Sequence, residues 1–193
     1  VAALLARRVP DLRLRLDANN LWSARATAAR YLAELDAPAF AVEEPLAAGD
    51  LSELAALSAE RGAPIILDES CARAGQLAAL PGPSESWIVN LRVSKMGGLL
   101  RALRVVDAAR ARGIALIVGA QVGETSLLTR AALGVAARAS DLLLAQEGAF
   151  GSVLLAEDPC TPELRFGPGG ALTIERPLAP GWGLTVRSPS PGT

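Results

Sequence analysis

Three carboxylates in this 193-residue chain recur at near-constant intervals, each behind a short apolar run. Asp17 follows Leu12, Leu14 and Leu16; Glu43 follows Phe40-Ala41-Val42; Asp68 follows Ile65-Ile66-Leu67. Arg92, behind Trp87 to Leu91, continues the series, and the successive intervals are 26, 25 and 24 residues. Each interval holds one helix-like segment, so the pattern reads as strand, charged turn, helix, strand. Charged groups at the same end of successive parallel strands face one mouth. Three carboxylates gathered there are expected to bind a hard divalent cation.

Proton chemistry is constrained by what the chain lacks. It has no histidine, which removes Ser-His-Asp and Cys-His nucleophile systems and the usual zinc sites. Proton transfer is left to carboxylates, to Tyr31, or to Lys95, the one lysine among 19 basic residues. Cys71 and Cys160 lie far apart, without metal or redox spacing. A reducing, cytoplasmic setting is expected from them. With a net charge of −1 and dispersed arginines, the chain offers no basic nucleic-acid surface. No apolar run approaches the ~20 residues that span a bilayer.

The elements that must position these groups follow in order. Strands are expected over Leu12 to Leu16, Ala39 to Val42, Ile65 to Leu67, Trp87 to Leu91, Ile114 to Val118 and Leu142 to Leu144. Helices are expected from Ser23, as N-cap, to about Leu35, broken at Asp36-Ala37-Pro38, and from Asp50, as N-cap, to about Arg61. Further ones are expected over Arg73 to Leu80, Leu99 to Arg112 and Glu124 to about Ala139. Gly62 and Gly113 stand where helices stop. Gly148 to Gly151 is expected to be flexible backbone that lets a ligand approach. The irregular, partly β end is expected to carry a strand-like Ala171 to Ile174 and a disordered stretch from Ser188.

Six βα units fall short of the eight in a closed barrel of ~250 residues. The opening residues, Val1 to Arg8, read as a helix tail. The expected fold is therefore α/β: a partial TIM-type barrel, about strands 3–8, over residues 1–165. Residues 166–193 form a tail expected to pack toward an N-terminal capping domain. On this expectation the chain is a fragment, inactive alone and homo-oligomeric at full length.

The runs Arg15 to Trp22, Glu43-Glu44-Pro45, Asp68-Glu69-Ser70, Asn90 to Gly98 and Gly119 to Thr125 keep an order and spacing that resemble the muconate lactonizing branch of the enolase superfamily. That branch holds muconate cycloisomerases, o-succinylbenzoate synthases, N-succinylamino acid racemases and dipeptide epimerases. The resemblance covers about residues 1–183. It implies Mg²⁺ held by Asp17, Glu43 and Asp68, with Asn19, Glu44 and Glu69 in supporting places. The ion would bind a small carboxylate substrate and stabilise the enediolate left when its α-proton departs. The candidate catalytic residues are Arg92, Lys95 and Glu124.

The departures from the family pattern limit the chemistry. The branch carries two lysines on opposite faces of the substrate. One sits in a Lys-x-Lys that would precede Val1; the other belongs five residues before Gly97, where this chain has Arg92. Arginine stays protonated, so it is a poor base and a good partner for developing negative charge. Alternatively, Arg92 forms a structural ion pair with Asp68 or Glu69. Lys95 is read as base or as supporting residue, Glu124 as catalytic group or helix-terminal acid. Trp22 and Trp87 are read as packing or as substrate stacking. The expected reaction is one-base cycloisomerisation or syn elimination, the alternatives being a racemase or epimerase and a non-catalytic relative that keeps the metal site.

Overall fold

The computed structural model describes residues 8–9, 13–35, 39–148, 151–174 and 181–187. Six parallel strands lie side by side in sequence order: β1 (Leu14–Asp17), β2 (Ala39–Glu43), β3 (Ile65–Leu67), β4 (Trp87–Leu91), β5 (Ala115–Val118) and β6 (Leu143–Gln146). The sheet curls into a half-barrel. Helices α1 (Arg25–Glu34), α2 (Leu51–Arg61), α3 (Ala74–Ala78), α4 (Leu99–Arg112) and α5 (Ser126–Arg138) connect successive strands. A one-turn α6 (Gly151–Leu154) follows β6. Among the described residues no helix is long and apolar enough to cross a membrane.

Side-chain alternation along the strands separates two cores. Outward-facing Val42, Ile65, Leu67, Val89, Leu116 and Val118 pack against the helices in one large cluster. The inner face carries a small layer of Ala41, Ile66, Ile88 and Ile117. Two residues further along the same strands, on the same inner face, come Glu43, Asp68, Asn90 and Gly119. The apolar layer thus forms a floor beneath a polar layer at the C-terminal ends of the strands. The central strands β3 and β4 are buried throughout, while β1 and β6 are part exposed, as expected of strands that pair on one side only.

Strands β3 and β4 and helix α4 have the bounds expected from sequence, and Gly62 and Gly113 both adopt left-handed φ (65° each) at helix ends. Some local expectations are corrected. Ala24, not Ser23, occupies the N-cap of α1, whereas Asp50 is the N-cap of α2 as expected; neither makes a side-chain capping bond. Ala171 to Ile174 is not a strand. The short antiparallel pair near the end is β7 (Cys160–Thr161) with β8 (Thr185–Val186), so residues 181–187 fold back on the segment after α6. The expected helix tail over 1–7, Leu12, the break at 36–38 and the end at 188–193 lie outside the described residues.

Asp158 anchors this return. Its carboxylate accepts from the Ser126 N–H (2.8 Å), the Ser126 hydroxyl (2.8 Å) and the Cys160 N–H (2.9 Å), while Ser126 Oγ accepts from the Leu164 N–H (2.7 Å). A buried acid is thereby set on the N-terminal turn of α5, where the helix dipole favours it. Asp158→Ala is expected to cost about 3 kcal/mol in urea unfolding, because three donors lose a charged acceptor. A loss under about 0.5 kcal/mol, the ordinary surface range, would show that the segment is not anchored here.

Candidate active site

The polar layer opens into a cavity of about 610 Å³, lined among others by Arg15, Asp17, Glu43, Asn90, Arg92 and Glu147. A second cavity, of about 500 Å³, lies between α4, α5 and Gly181–Trp182. Among the described residues Arg130 is its one charged lining group, and these bring no acid to it.

Asp17 and Glu43 are register partners at the ends of β1 and β2. An Asx turn follows Asp17: its Oδ1 accepts from the Asn19 N–H at 3.0 Å, and Asn19 and Asn20 take left-handed φ of 46° and 56°, which asparagine tolerates. Glu43 is 2% exposed. Its Oε1 accepts from Asn90 Nδ2 at 2.6 Å, and its Oε2 is buried without a hydrogen-bond partner. The nearest cation to that oxygen is Arg15 Nε, at 3.6 Å. Burial pushes the Glu43 carboxyl above its ordinary range against the pull of Asn90 and Arg15.

Glu44 turns the other way. At φ 34° it leaves the strand and sends a fully buried carboxylate under the next loop. There it accepts from the Asp68 N–H (2.8 Å), the Ser70 N–H (2.7 Å) and the Ser70 hydroxyl (3.0 Å). Of the two adjacent glutamates, then, Glu43 faces the cavity and Glu44 holds the loop that carries Asp68.

Asp68 is claimed by two cations. Arg92 forks onto it, with Nε 3.1 Å from Oδ1 and Nη2 in contact with Oδ2, and donates Nη1 to Gln121 Oε1 at 3.0 Å. Glu69 is a distant third partner at 3.9 Å. Lys95 spends all three N–H groups behind the cavity, on the Asp68 carboxylate, the Asp68 carbonyl (2.7 Å) and the Asn90 carbonyl (2.8 Å). Burial and then Arg92 pull its ammonium down to about 8, against the opposing pull of Cys71, Glu69 and Glu44. Glu124 is 6% exposed and also lies outside the cavity lining. Burial raises its carboxyl, and hydrogen bonds from the Gln121 backbone and the Ser94 side chain oppose that.

The three expected metal ligands therefore share one end of the sheet but not one point. Among the described residues no three acidic, cysteine or histidine side chains are gathered closely enough to hold a metal as they stand. The donors themselves suit a hard cation: hard oxygens on neighbouring strands, with Glu43 Oε2 buried and unpartnered. To join such a set, Asp68 would have to share the carboxylate that Arg92 and Lys95 hold.

The comparisons agree with this fold. A family model described as "Enolase C-terminal domain-like" matches residues 1–190. The chain belongs to that family. Among its enolase-family relatives, a hydrophobic dipeptide epimerase of Roseobacter litoralis is 36% identical over 126 residues, 64% of this chain and 35% of the relative. An o-succinylbenzoate synthase of Geobacillus kaustophilus is 30% identical over 184 residues, 93% of this chain and 46% of the relative. The crystal structure of a dipeptide epimerase from Enterococcus faecalis, complexed with Mg and the dipeptide L-Leu-L-Tyr, superposes with a TM-score of 0.79 at 26% identity, covering 94% of this chain and 50% of that one. This enolase-type chain thus spans half the length of these relatives or less.

Several groups of the site carry no expectation from sequence. Glu147 follows β6, pairs with Arg15 across the mouth and accepts from the Ala120 N–H at 2.9 Å. It obeys the same strand-end rule as Asp17, but the strand runs two residues beyond its expected end at Leu144. Asn90, Gln121 and Arg15 stand inside recognised runs without an assigned role. Tyr31 is part exposed and stacks on Trp22 (centroids 6.0 Å), away from the cavity. Trp87 is buried and donates Nε1 to the Pro81 carbonyl at 2.8 Å, so it packs rather than stacks on a ligand. Gly148 lines the cavity; Gly151 begins α6, and a Cβ there would meet the Glu124 carbonyl at 2.0 Å. Its smallness serves backbone packing.

Proposed function

We propose that the full-length protein abstracts a proton α to the carboxylate of a small substrate, in a cycloisomerase or syn-elimination reaction whose base is a lysine outside this chain, on the face of the substrate opposite Arg92. In this reading Asp17, Glu43 and Asp68 hold Mg²⁺. The observation that carries it is the unpartnered buried oxygen of Glu43, in a cavity that places Asp17 on one side and Arg92 on the other. When bound, the ion supplies the Lewis acidity that makes an α-proton acidic. Arg92, fixed by Asp68 and Gln121, holds permanent positive charge at the rim for the charge that develops on the substrate. It cannot accept a proton. Lys95 keeps the ends of β3 and β4 together and so positions Asp68. Glu124 stands close enough to Arg92 to tune its field.

A racemase or epimerase is the second reading, favoured by the dipeptide epimerase among the relatives. The two readings separate in one experiment on the full-length protein, since this chain alone is expected to be inactive. A panel of α-substituted carboxylates and L,L-dipeptides is incubated in ²H₂O with and without Mg²⁺ and followed by NMR. Mg²⁺-dependent exchange or turnover with retained configuration is expected. Inverted product from a dipeptide would favour the second reading, and no Mg²⁺-dependent change in any member would count against both.

Metal affinity is expected to fall on acidification sooner than for an ordinary glutamate site. A carboxylate must be ionised to bind metal, and burial raises the Glu43 carboxyl, so protons compete at higher pH. Mn²⁺ titrations at decreasing pH check the sign: affinity should drop as pH falls through the raised Glu43 value, and a flat profile would remove Glu43 from the ligand set.

A further inference from the structure

Two carboxylates of the site are held by opposite means. Asp68 is held by two cations, which also neutralise it. Glu43 takes its one hydrogen bond from a neutral amide, Asn90 Nδ2 to Oε1 at 2.6 Å, with the Arg15 guanidinium standing off at 3.6 Å from Oε2. Asn90 is 2% exposed and sits two residues above Ile88 on the inner face of β4. It is therefore in the same side-chain layer as Glu43.

That side chain has room because residue 119 is glycine. The backbone of Gly119 does not require it, since its φ is not among the positive values. A Cβ at 119, however, would lie 1.9 Å from Asn90 Oδ1, 2.9 Å from Asn90 Cγ and 3.0 Å from Arg92 Cγ. Glycine at the end of β5 thus provides the slot for the amide. Oδ1 lies in that slot with no hydrogen-bond partner, which leaves the NH₂ end toward Glu43. A buried amide with an unsatisfied oxygen is costly, so the arrangement is held by the one bond it makes, to Oε1.

We propose that Asn90, seated against Gly119, is a positioning residue for Glu43: it ties down Oε1 and so sets where the unpartnered Oε2 would meet a divalent cation. The proposal rests on the metal reading above.

The test uses Mn²⁺ as spin probe and the full chain. Partners one shell outside a metal typically change affinity 10- to 100-fold, so Asn90→Leu and Gly119→Ala are each expected to weaken Mn²⁺ binding by about that factor. Gly119→Ala acts by displacing the Asn90 side chain, so in an Asn90→Ser background it should add little, a non-additivity that a general packing defect would not produce. The unaltered chain supplies a second readout, the side-chain amide resonances of Asn90. Mg²⁺ should shift them, and so should Glu43→Gln without metal. Unchanged Mn²⁺ affinity in Asn90→Leu, or amide resonances that ignore both Mg²⁺ and Glu43→Gln, overturns the positioning role. Failure of the unaltered chain to bind Mn²⁺ overturns instead the metal reading beneath it.

Discussion

Asp68→Asn is expected to lower Mg²⁺ affinity by about 100-fold or more and to destabilise the fold by about 3 kcal/mol. The first effect follows from losing one of three charged oxygen ligands, a larger change than the 10- to 100-fold that outer partners produce. The second follows from what the carboxylate holds. Arg92 and Lys95 are 19% and 14% exposed, and Asp68 is 5%. Removing one partner of a largely buried ion cluster leaves the others charged and desolvated, at a cost of about 3–5 kcal/mol; the lower end applies because the asparagine oxygen still accepts one bond. Mn²⁺ titration and urea unfolding of the same variant read the two effects separately. Loss of affinity at unchanged stability would mean that the cluster is open in solution and Asp68 already free for metal. Unchanged affinity would take Asp68 out of the ligand set.

How much of this was legible beforehand depended on what each residue reports. Ile65–Leu67 is a continuous apolar run between Pro64 and Asp68, and Trp87–Leu91, which ends at Arg92, is apolar except for Asn90. Strands buried on both faces leave that mark, and their bounds were readable to the residue. The edge strand β6 carries exposed positions, its end was misjudged, and Glu147 went unrecognised with it. The regular spacing told which end of the sheet holds Asp17, Glu43 and Asp68. It could not tell that Glu44, one residue from Glu43, turns at φ 34° into the loop beneath Asp68, because that depends on a backbone reversal ahead of Pro45. An ion pair of Arg92 with Asp68 is among the expectations from sequence and is present; the convergence of Lys95 on the same carboxylate is not among them. Asn90 and Gly119 were the least visible. Their link is a missing Cβ between neighbouring strands, and a glycine at ordinary φ looks like any other small residue in a loop.

Arg92→Lys is the variant expected to gain chemistry. In the native site three guanidinium nitrogens are engaged, two on Asp68 and one on Gln121. An ammonium can keep the contact with Asp68 but not the planar fork, so Gln121 is released and a small stability loss is expected, about 1 kcal/mol. What is gained is a group that can exist without its proton. A lysine at position 92 stands beside the Lys95 ammonium and in a part-buried rim, and both disfavour its charged form. A positioned base contributes typically 10²- to 10⁴-fold, so α-proton exchange in ²H₂O is expected to rise by about 100-fold. The pH profile carries the sign. Only the neutral amine accepts a proton, so exchange in the variant should climb with pH until the amine is fully deprotonated, while the native arginine adds no such limb over the same range. With substrates whose α-carbon is stereogenic, inverted product should appear alongside exchange, since a base on the second face allows reprotonation there. If exchange falls in Arg92→Lys while the urea midpoint holds, the site depends on the guanidinium as a fixed charge and the base lies on the other face alone. If the midpoint collapses, the fork onto Asp68 is what keeps β3 and β4 in register at the mouth, and the chemistry at position 92 is secondary to that.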